Sequence, residues 1–333
     1  MGRKTLEDIS QLTGISKTVI SRVLSGKAAE YRISKATVER VLRVCEEEQY
    51  RPNYLAQLLR GQASKTIGLI LPRLDYEFFG KLSSTIIAEA HRHGYTVITM
   101  LSLDDPQQEA EAIDTLISRQ VEGIIISPSS PSSELLREVS QELPLVQIDR
   151  YFEDEGLSYV STNNYEGART AVKYLADMGH KNVLCLQAEL DVMPIKERVR
   201  GVLDAAREYG INLSVSDDLT EEKSFAATME ALNSPQPPTA IFSLSLHCLS
   251  GALLAINKKG MFIRDDISLI TFDESRLMDY TRTTITRVVQ PVEKMCTAAF
   301  QVLSQSITGK KPCQERMLIE PVFLERTSVK RLL

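Results

Sequence analysis

Long hydrophobic runs are missing from this chain. Its longest apolar stretches, such as residues 67–71 and 124–126, are short. A membrane-spanning helix needs roughly 20 apolar residues, so no span is expected. The N-terminus, Met1-Gly2-Arg3-Lys4-Thr5-Leu6-Glu7-Asp8, lacks the apolar core of a secretory signal. Cysteine is scarce: Cys45, Cys185, Cys248, Cys296 and Cys313 are odd in number, widely spaced and free of any Cys-x-x-Cys. They read as buried thiols in a reducing cytoplasm. Histidine is scarcer still, at 4 residues. His91-x-His93 has no third ligand nearby, so surface histidines are expected and no metal. Gly-x-Ser-x-Gly, His-Glu-x-x-His, Gly-x-Gly-x-x-Gly and a phosphate-loop lysine are all absent. No catalytic group, no cofactor and no enzyme chemistry is expected.

What is present is ordinary for a globular chain. Hydrophobic residues make up 43% and charged residues 25% of 333. That length suggests two or three domains. The net charge of -5 hides an asymmetry. Residues 1–62 carry 11 Lys and Arg against 7 Asp and Glu, while the remaining 271 carry 28 against 37. A basic head on an acidic body points to a polyanion partner for the head alone, although a surplus this small also arises by chance.

The head reads as helix throughout. Leu6, Ile9 and Leu12 define one apolar face, and Thr13-Gly14-Ile15 breaks it. Ser16 is an N-cap before Ile20, Val23 and Leu24, and Ser25-Gly26 closes that second helix. A third helix opens at Ser34 and runs to about residue 49, with Val38, Val41, Leu42 and Cys45 inward. Two short helices around a glycine turn, with a supporting third, make a helix-turn-helix. Lys17, Thr18, Ser21 and Arg22 lie opposite the apolar stripe of the second helix. Such a face can enter a major groove and offer donors to bases and phosphates, or its cations can simply be solvated. Beyond Pro52, residues 53–61 predict a short leucine-rich helix, capped by Asn53 and stopped by Gly61, that needs a partner to bury it.

From Thr66 onward short apolar runs alternate with amphipathic helices. Strands are predicted at 66–71, 96–101, 123–127, 145–149, 159–162, 183–187, 240–244, 268–272 and 285–290. Helices are predicted at 77–93, 106–119, 165–178, 194–209, 246–259 and 292–308. Continuous apolar strands separated by helices mean parallel sheets covered on both faces. Their number exceeds one sheet, so the fold expected is an α/β body of two doubly wound lobes behind an all-α headpiece. Ligands of such folds bind beyond the carboxyl ends of the strands. Asp75, Asp149-Arg150, Asn163-Asn164, Ser245 and Asp273-Glu274 occupy those places.

At these residues the chain resembles the lactose-repressor (LacI-type) transcription regulators, over essentially its whole length. The motifs are Thr5-Leu6-Glu7-Asp8-Ile9, Gly14-Ile15-Ser16, Ser21-Arg22-Val23-Leu24, Tyr50-Arg51-Pro52-Asn53, Ala56, Leu59-Arg60-Gly61 and Ile67-Gly68-Leu69-Ile70-Leu71-Pro72. Later come Asp149-Arg150, Asn163-Asn164-Tyr165-Glu166-Gly167-Ala168, Gly179-His180-Lys181 and Ser268-Leu269-Ile270-Thr271-Phe272-Asp273. Within the family, Gly26-Lys27-Ala28, Tyr31-Arg32-Ile33-Ser34 and Phe242-Ser243-Leu244-Ser245 are similar to the fructose repressor, or catabolite repressor/activator, subgroup. Val19 stands where Thr or Ser is usual, Ser25 where Asn is common, and Ser245-Leu246 where most members carry Asn-Asp.

The resemblance implies a headpiece over 1–62 and a body like type I periplasmic sugar-binding proteins. The N-lobe would take 63–161 plus 291–322 and the C-lobe 162–290, leaving 323–333 as a tail. It implies DNA contact by Leu6, Ser16, Lys17, Thr18, Ser21, Arg22, Arg32, Ser34, Tyr50, Asn53, Ala56 and Leu59. Lys17 and Thr18 would read bases, and Ser16, Ser21, Arg32, Ser34 and Tyr50 would hold phosphates. Leu59 would wedge into the minor groove beside its twofold mate, or else serve packing alone.

Effector contact is implied for Asp75, Phe78, Phe79, Arg150, Asn163, Arg198, Ser245, Asp273 and Glu274. Alternatives stay open: an ion pair for Arg150, core filling for the two phenylalanines, helix capping for Asp273 and Glu274. Two arginines facing the cleft would favour a phosphorylated hexose, by subgroup a fructose phosphate. The chain is thus expected to be a cytoplasmic, nucleoid-associated homodimer. It would regulate carbohydrate genes, as a repressor, through double-stranded operator DNA and a sugar or sugar-phosphate effector, without a membrane partner. The rival is a cytoplasmic sugar-binding protein or sugar-modifying enzyme with no DNA role; the basic headpiece separates the two.

Overall fold

The computed structural model describes residues 4–50, 63–154, 156–188, 191–280, 282–309 and 314–332. The chain forms two compact units, Met1–Ser64 and Lys65–Leu333. The first holds α1 (Leu6–Thr13), α2 (Lys17–Leu24) and α3 (Lys35–Glu47). Local chemistry sets each boundary. Thr5 and Asp8 form a reciprocal capping box on α1, with Thr5 N donating to Asp8 Oδ2 at 2.7 Å. Gly14 ends that helix in the left-handed region, at φ 66°. Ser16 and Ser34 cap α2 and α3 by accepting from Val19 N and Thr37 N. The helices close on a small core in which Ile9, Ile20 and Val41 are fully buried, with Val23 and Cys45 beside them. The helix expected at 53–61 lies outside the described residues.

The second unit contains two six-stranded sheets. The first has the order β11-β5-β4-β3-β1-β2 and the second β12-β10-β9-β8-β6-β7. These strands are β1 (Thr66–Leu71), β2 (Thr96–Leu101), β3 (Ile124–Ile126), β4 (Leu145–Ile148), β5 (Ser158–Thr162), β6 (Asn182–Ala188), β7 (Asn212–Leu219), β8 (Ala240–Ser243), β9 (Ser268–Phe272), β10 (Thr286–Val289), β11 (Arg316–Ile319) and β12 (Val322–Leu324). All pairings are parallel except β10 with β12. Helices α4 (Glu77–Arg92), α5 (Pro106–Ser118), α6 (Glu134–Glu142) and α11 (Val292–Gly309) belong with the first sheet. Helices α7 (Asn164–Asp177), α8 (Met193–Tyr209), α9 (Glu221–Leu232) and α10 (Leu246–Lys258) belong with the second. Each sheet is apolar on both faces, as buried parallel strands must be. Ile67, Leu69 and Leu71 of β1 face α4 and α11, while Ile70 faces α5.

The chain crosses between the lobes three times, after β5, after β10 and between β11 and β12. The stretch expected as a tail is knitted into the second lobe. β12 pairs β10, Lys330 N donates to Ser268 Oγ at 2.9 Å, and Leu332 N donates to Met178 O at 2.7 Å. Both helix pairs of this lobe meet through a glycine. A Cβ on Gly201 of α8 would lie 2.3 Å from Tyr165 O of α7. One on Gly251 of α10 would lie 2.3 Å from Glu221 O of α9. Backbone cannot yield as a flexible side chain can. Gly201→Ala is therefore expected to destabilise the body by about 2 kcal/mol, despite alanine's helix preference. Urea unfolding of the full chain checks this; an unchanged midpoint would contradict the packing described.

Candidate functional site

On the headpiece, α2 buries Ile20 and Val23 and turns Lys17, Thr18, Ser21 and Arg22 the other way. The helix carries no acidic residue. Lys17 is ion-paired with Glu7 of α1, so it is already partnered within the headpiece. The Arg22 guanidinium sits over the ring of Tyr31, its Cζ 3.7 Å from the centroid. Ser16 and Ser34 spend their hydroxyls on helix caps. Leu6 and Tyr50 are half-buried against the headpiece core. Arg32 is exposed and left-handed, at φ 51°. Asn53, Ala56 and Leu59 lie outside the described residues.

In the body, the carboxyl ends of the parallel strands of both sheets converge on one cavity of about 660 Å³. From the first lobe it is lined by Asp75, Tyr76, Glu77, Phe78 and Phe79 at the start of α4, and by Asp149-Arg150 after β4. From the second come Arg198 on α8, Glu221 and Glu222 on α9, Ser245, Leu246 and His247 at α10, Asp273 after β9 and Gln290 after β10. Two of the residues singled out from sequence sit elsewhere. Asn163 caps α7 and donates to Glu320 at 2.7 Å. Glu274 borders a neighbouring cavity and pairs with buried Arg287 at 3.3 Å.

The cleft is wired by hydrogen bonds. Arg198 is only 3% exposed. Its Nε donates to Asn164 Oδ1 at 2.8 Å, and its Nη1 to Leu244 O at 2.7 Å and Asp273 Oδ2 at 3.2 Å. The guanidinium stacks on Phe272, 3.7 Å from the ring centroid. Gln290 Nε2 donates to Asp273 Oδ1 at 2.6 Å, and Thr162 Oγ1 donates to Gln290 Oε1 at 2.7 Å. Arg150 donates to Asp104 at 2.6 Å. Both arginines thus reach the cleft already holding a carboxylate, which removes the two uncommitted cations that a phosphate would want.

Asp149 is the opposite case. It is 5% exposed, lines the cavity, and accepts no hydrogen bond at its carboxylate among the described residues. Burial pushes its pKa up to about 6; Arg150 and Arg198 oppose that rise and Asp273 adds to it. At the cleft mouth the rings of Tyr76 and His247, from opposite lobes, meet with centroids 4.4 Å apart. The sequence named Asp149 and Asn164 as strand-end positions without assigning them effector contact, and it did not point to Tyr76, His247 and Gln290. All five follow or end strands or begin helices, and that position was the available signal.

A helix-turn-helix unit followed by a two-lobed α/β body with a cavity between its lobes has the layout of a DNA-binding regulator. Comparison with known proteins agrees. The model for periplasmic binding proteins and the sugar binding domain of the LacI family matches residues 64–327, and that for bacterial regulatory proteins of the lacI family matches 5–53. The chain belongs to the LacI family: it is a DNA-binding transcription regulator of the repressor type, not an enzyme. Its relatives include the HTH-type transcriptional repressor PurR of Vibrio campbellii, 26% identical over 98% of this chain and 99% of the relative. Another is the fructose operon regulatory protein of Vibrio cholerae, 28% identical over 89% and 91%. In fold the chain is similar to the lac repressor dimer solved with operator and an anti-inducer. That TM-score is 0.89 at 21% identity, covering 99% of this chain and 100% of the other. No helix among the described residues is long and apolar enough to cross a membrane.

Asp149 generates a pH prediction. Its folded pKa lies above the ordinary 3.8, so the folded state holds an extra proton between about pH 4 and 6. Stability from this group therefore falls as pH rises through that window and is level above it. Asp149→Asn should stabilise the empty protein above pH 6 by at most about 3 kcal/mol, with the gain shrinking toward pH 4. Thermal unfolding of both proteins across that range checks it; a pH-independent difference would contradict the burial argument.

Proposed function

We propose that this regulator is a homodimeric repressor of carbohydrate genes, acting in the cytoplasm on nucleoid DNA, whose operator affinity is set by an unphosphorylated sugar held between the lobes of its body. Asp149 carries the reading. A buried carboxylate with no protein donor is costly, and a polyol supplies the missing donors. Asp273 and Arg198 offer an acceptor and a donor opposite it. Phe78 and Tyr76 supply aromatic surface for a sugar face. Glu221 and Glu222 at the rim, with both arginines neutralised, weigh against a phosphate. The Thr162–Gln290–Asp273–Arg198 chain spans the joint between lobes, so ligand contacts made there favour one lobe arrangement. Effector and operator then couple reciprocally.

Calorimetry on the full chain with free sugars and sugar phosphates tests the effector, followed by operator binding with the hit. An unphosphorylated sugar should bind and change operator affinity, and Asp149→Asn should bind it about tenfold more weakly. Tight binding confined to sugar phosphates would sink the proposal. Operator affinity should fall steeply with salt on a twofold-symmetric sequence.

The homodimer reading draws on the edge strand β2. It is half-exposed along most of its length, whereas β1 beside it is fully buried. The helices α4 and α5 that flank it expose Ile87 at 44% and Ile117 at 44%. An apolar edge of this kind asks for cover, and a second copy with the same face supplies it. Ile87→Glu should shift sedimentation toward the monomer and leave sugar binding unchanged. An unaltered dimer would place the interface elsewhere.

A further inference from the structure

The loop between α2 and α3 is more built than a connector needs to be. Gly26 turns left-handed at φ 73°, and a single helical turn follows, with Tyr31 N donating to Lys27 O at 3.2 Å. Arg32 then turns left-handed and Ile33 N reaches back to Ala28 O at 2.9 Å. The product of this geometry is Tyr31. It is 42% exposed, too open to count as core, yet its ring lies directly under the Arg22 guanidinium at 3.7 Å. Among the described residues Arg22 forms no ion pair, whereas its neighbour Lys17 is held by Glu7. Arg22 is therefore the cation on the exposed side of α2 that is restrained without being neutralised.

We propose that Tyr31 is a positioning residue for base readout: it holds the Arg22 guanidinium flat, so that its edge is aimed before DNA arrives. Stacking occupies only the face of the guanidinium. The in-plane N–H groups stay free to donate side by side, as a base edge with two acceptors in the major groove requires. An unrestrained arginine must lose side-chain freedom on binding, and one that is already stacked has lost much of it. The inference rests on α2 being the helix that enters the groove.

The test uses the full chain and duplexes selected by the unaltered protein, each then varied one base pair at a time. Arg22→Ala should relax preference at one position in each half-site. Tyr31→Ala should relax the same position, with discrimination there falling about fivefold. Binding to unrelated duplex and its salt slope should hold, because no phosphate contact is lost. Tyr31→Phe should keep discrimination, and Tyr31→Leu, apolar without a π face, should not. Circular dichroism melting of each variant reports folding. Equal weakening at every position, or failure of Tyr31→Phe alongside Tyr31→Ala, would overturn the stacking role. An effect of Arg22→Ala with none from Tyr31→Ala would overturn the positioning role alone. If Arg22→Ala altered no base preference, α2 readout through Arg22 would fall, and this inference with it.

Discussion

The contact on which the body turns is the pairing of Asp273 with Arg198. Asp273 follows β9 with a left-handed backbone, φ 75°, which costs a non-glycine residue about 1 kcal/mol or more. It persists because the side chain is held from two directions, by Arg198 on α8 and by Gln290 at the crossover after β10. Arg198 ties the start of α7 through Asn164 and the end of β8 through the carbonyl of Leu244. Gln290 carries the network into the first lobe through Thr162. One carboxylate therefore organises the carboxyl ends of the second sheet and the joint between lobes together. A ligand that competes for Asp273 or adds to its bonds acts on both at once.

The loop beyond Asp273 is fixed by a second buried cation. Arg287 of β10 is 1% exposed and holds Asp279 through paired bonds of 3.0 and 2.8 Å, with Glu274 alongside. Removing one partner of such a buried set typically costs about 3–5 kcal/mol, because the remaining charge is stranded. This explains why Glu274, adjacent to a cleft residue, does not face the cleft. Its carboxylate is required by Arg287. Leu277 and Tyr280, exposed at 73% and 74%, ride on the same loop. They are carried by the loop that follows Asp273, a residue lining the cavity between the lobes.

Much of this architecture was legible in the residues. Apolar runs bounded by polar strand ends marked nine strands and the doubly wound lobes. Apart from α6, a short helix that buries Leu136 and Val139, the elements missed share a physical character. β7, Asn212–Leu219, is an edge strand with few apolar residues, so no hydrophobic run announces it. β11 is a short edge of mostly exposed positions, and β12 is a three-residue edge with two half-buried ones. α9 buries Ser224, Thr228 and Leu232 and sets its first turn, through Glu221 O and Ser224, against Gly251, so small and polar groups make much of the contact in place of a leucine stripe. The site was legible as a location and less so as a wiring diagram. Asn163 and Asn164 are adjacent and chemically alike. Only the helix register decides that the first turns back to cap α7 and the second turns in to Arg198. Likewise Arg150 stood beside Asp149 in sequence, but its carboxylate is Asp104 across the fold.

Buried charges in and beside the cavity fall into two kinds. Arg198, Arg150, Asp273 and Arg287 are buried or nearly so, and each has a protein partner of opposite sign. Their desolvation is offset inside the chain, and their geometry does not wait for a ligand. Asp149 is as deeply buried, yet no protein donor reaches its carboxylate among the described residues. An apolar residue of similar size would stabilise the empty protein. Groups kept at a cost to stability mark the places where a fold serves binding rather than itself. The same reasoning applies at the headpiece, where Lys17 is neutralised by Glu7 and Arg22 is restrained only by an aromatic face. In both units the residue on which the proposals rest is a charge that the protein orders without an ion pair among the described residues.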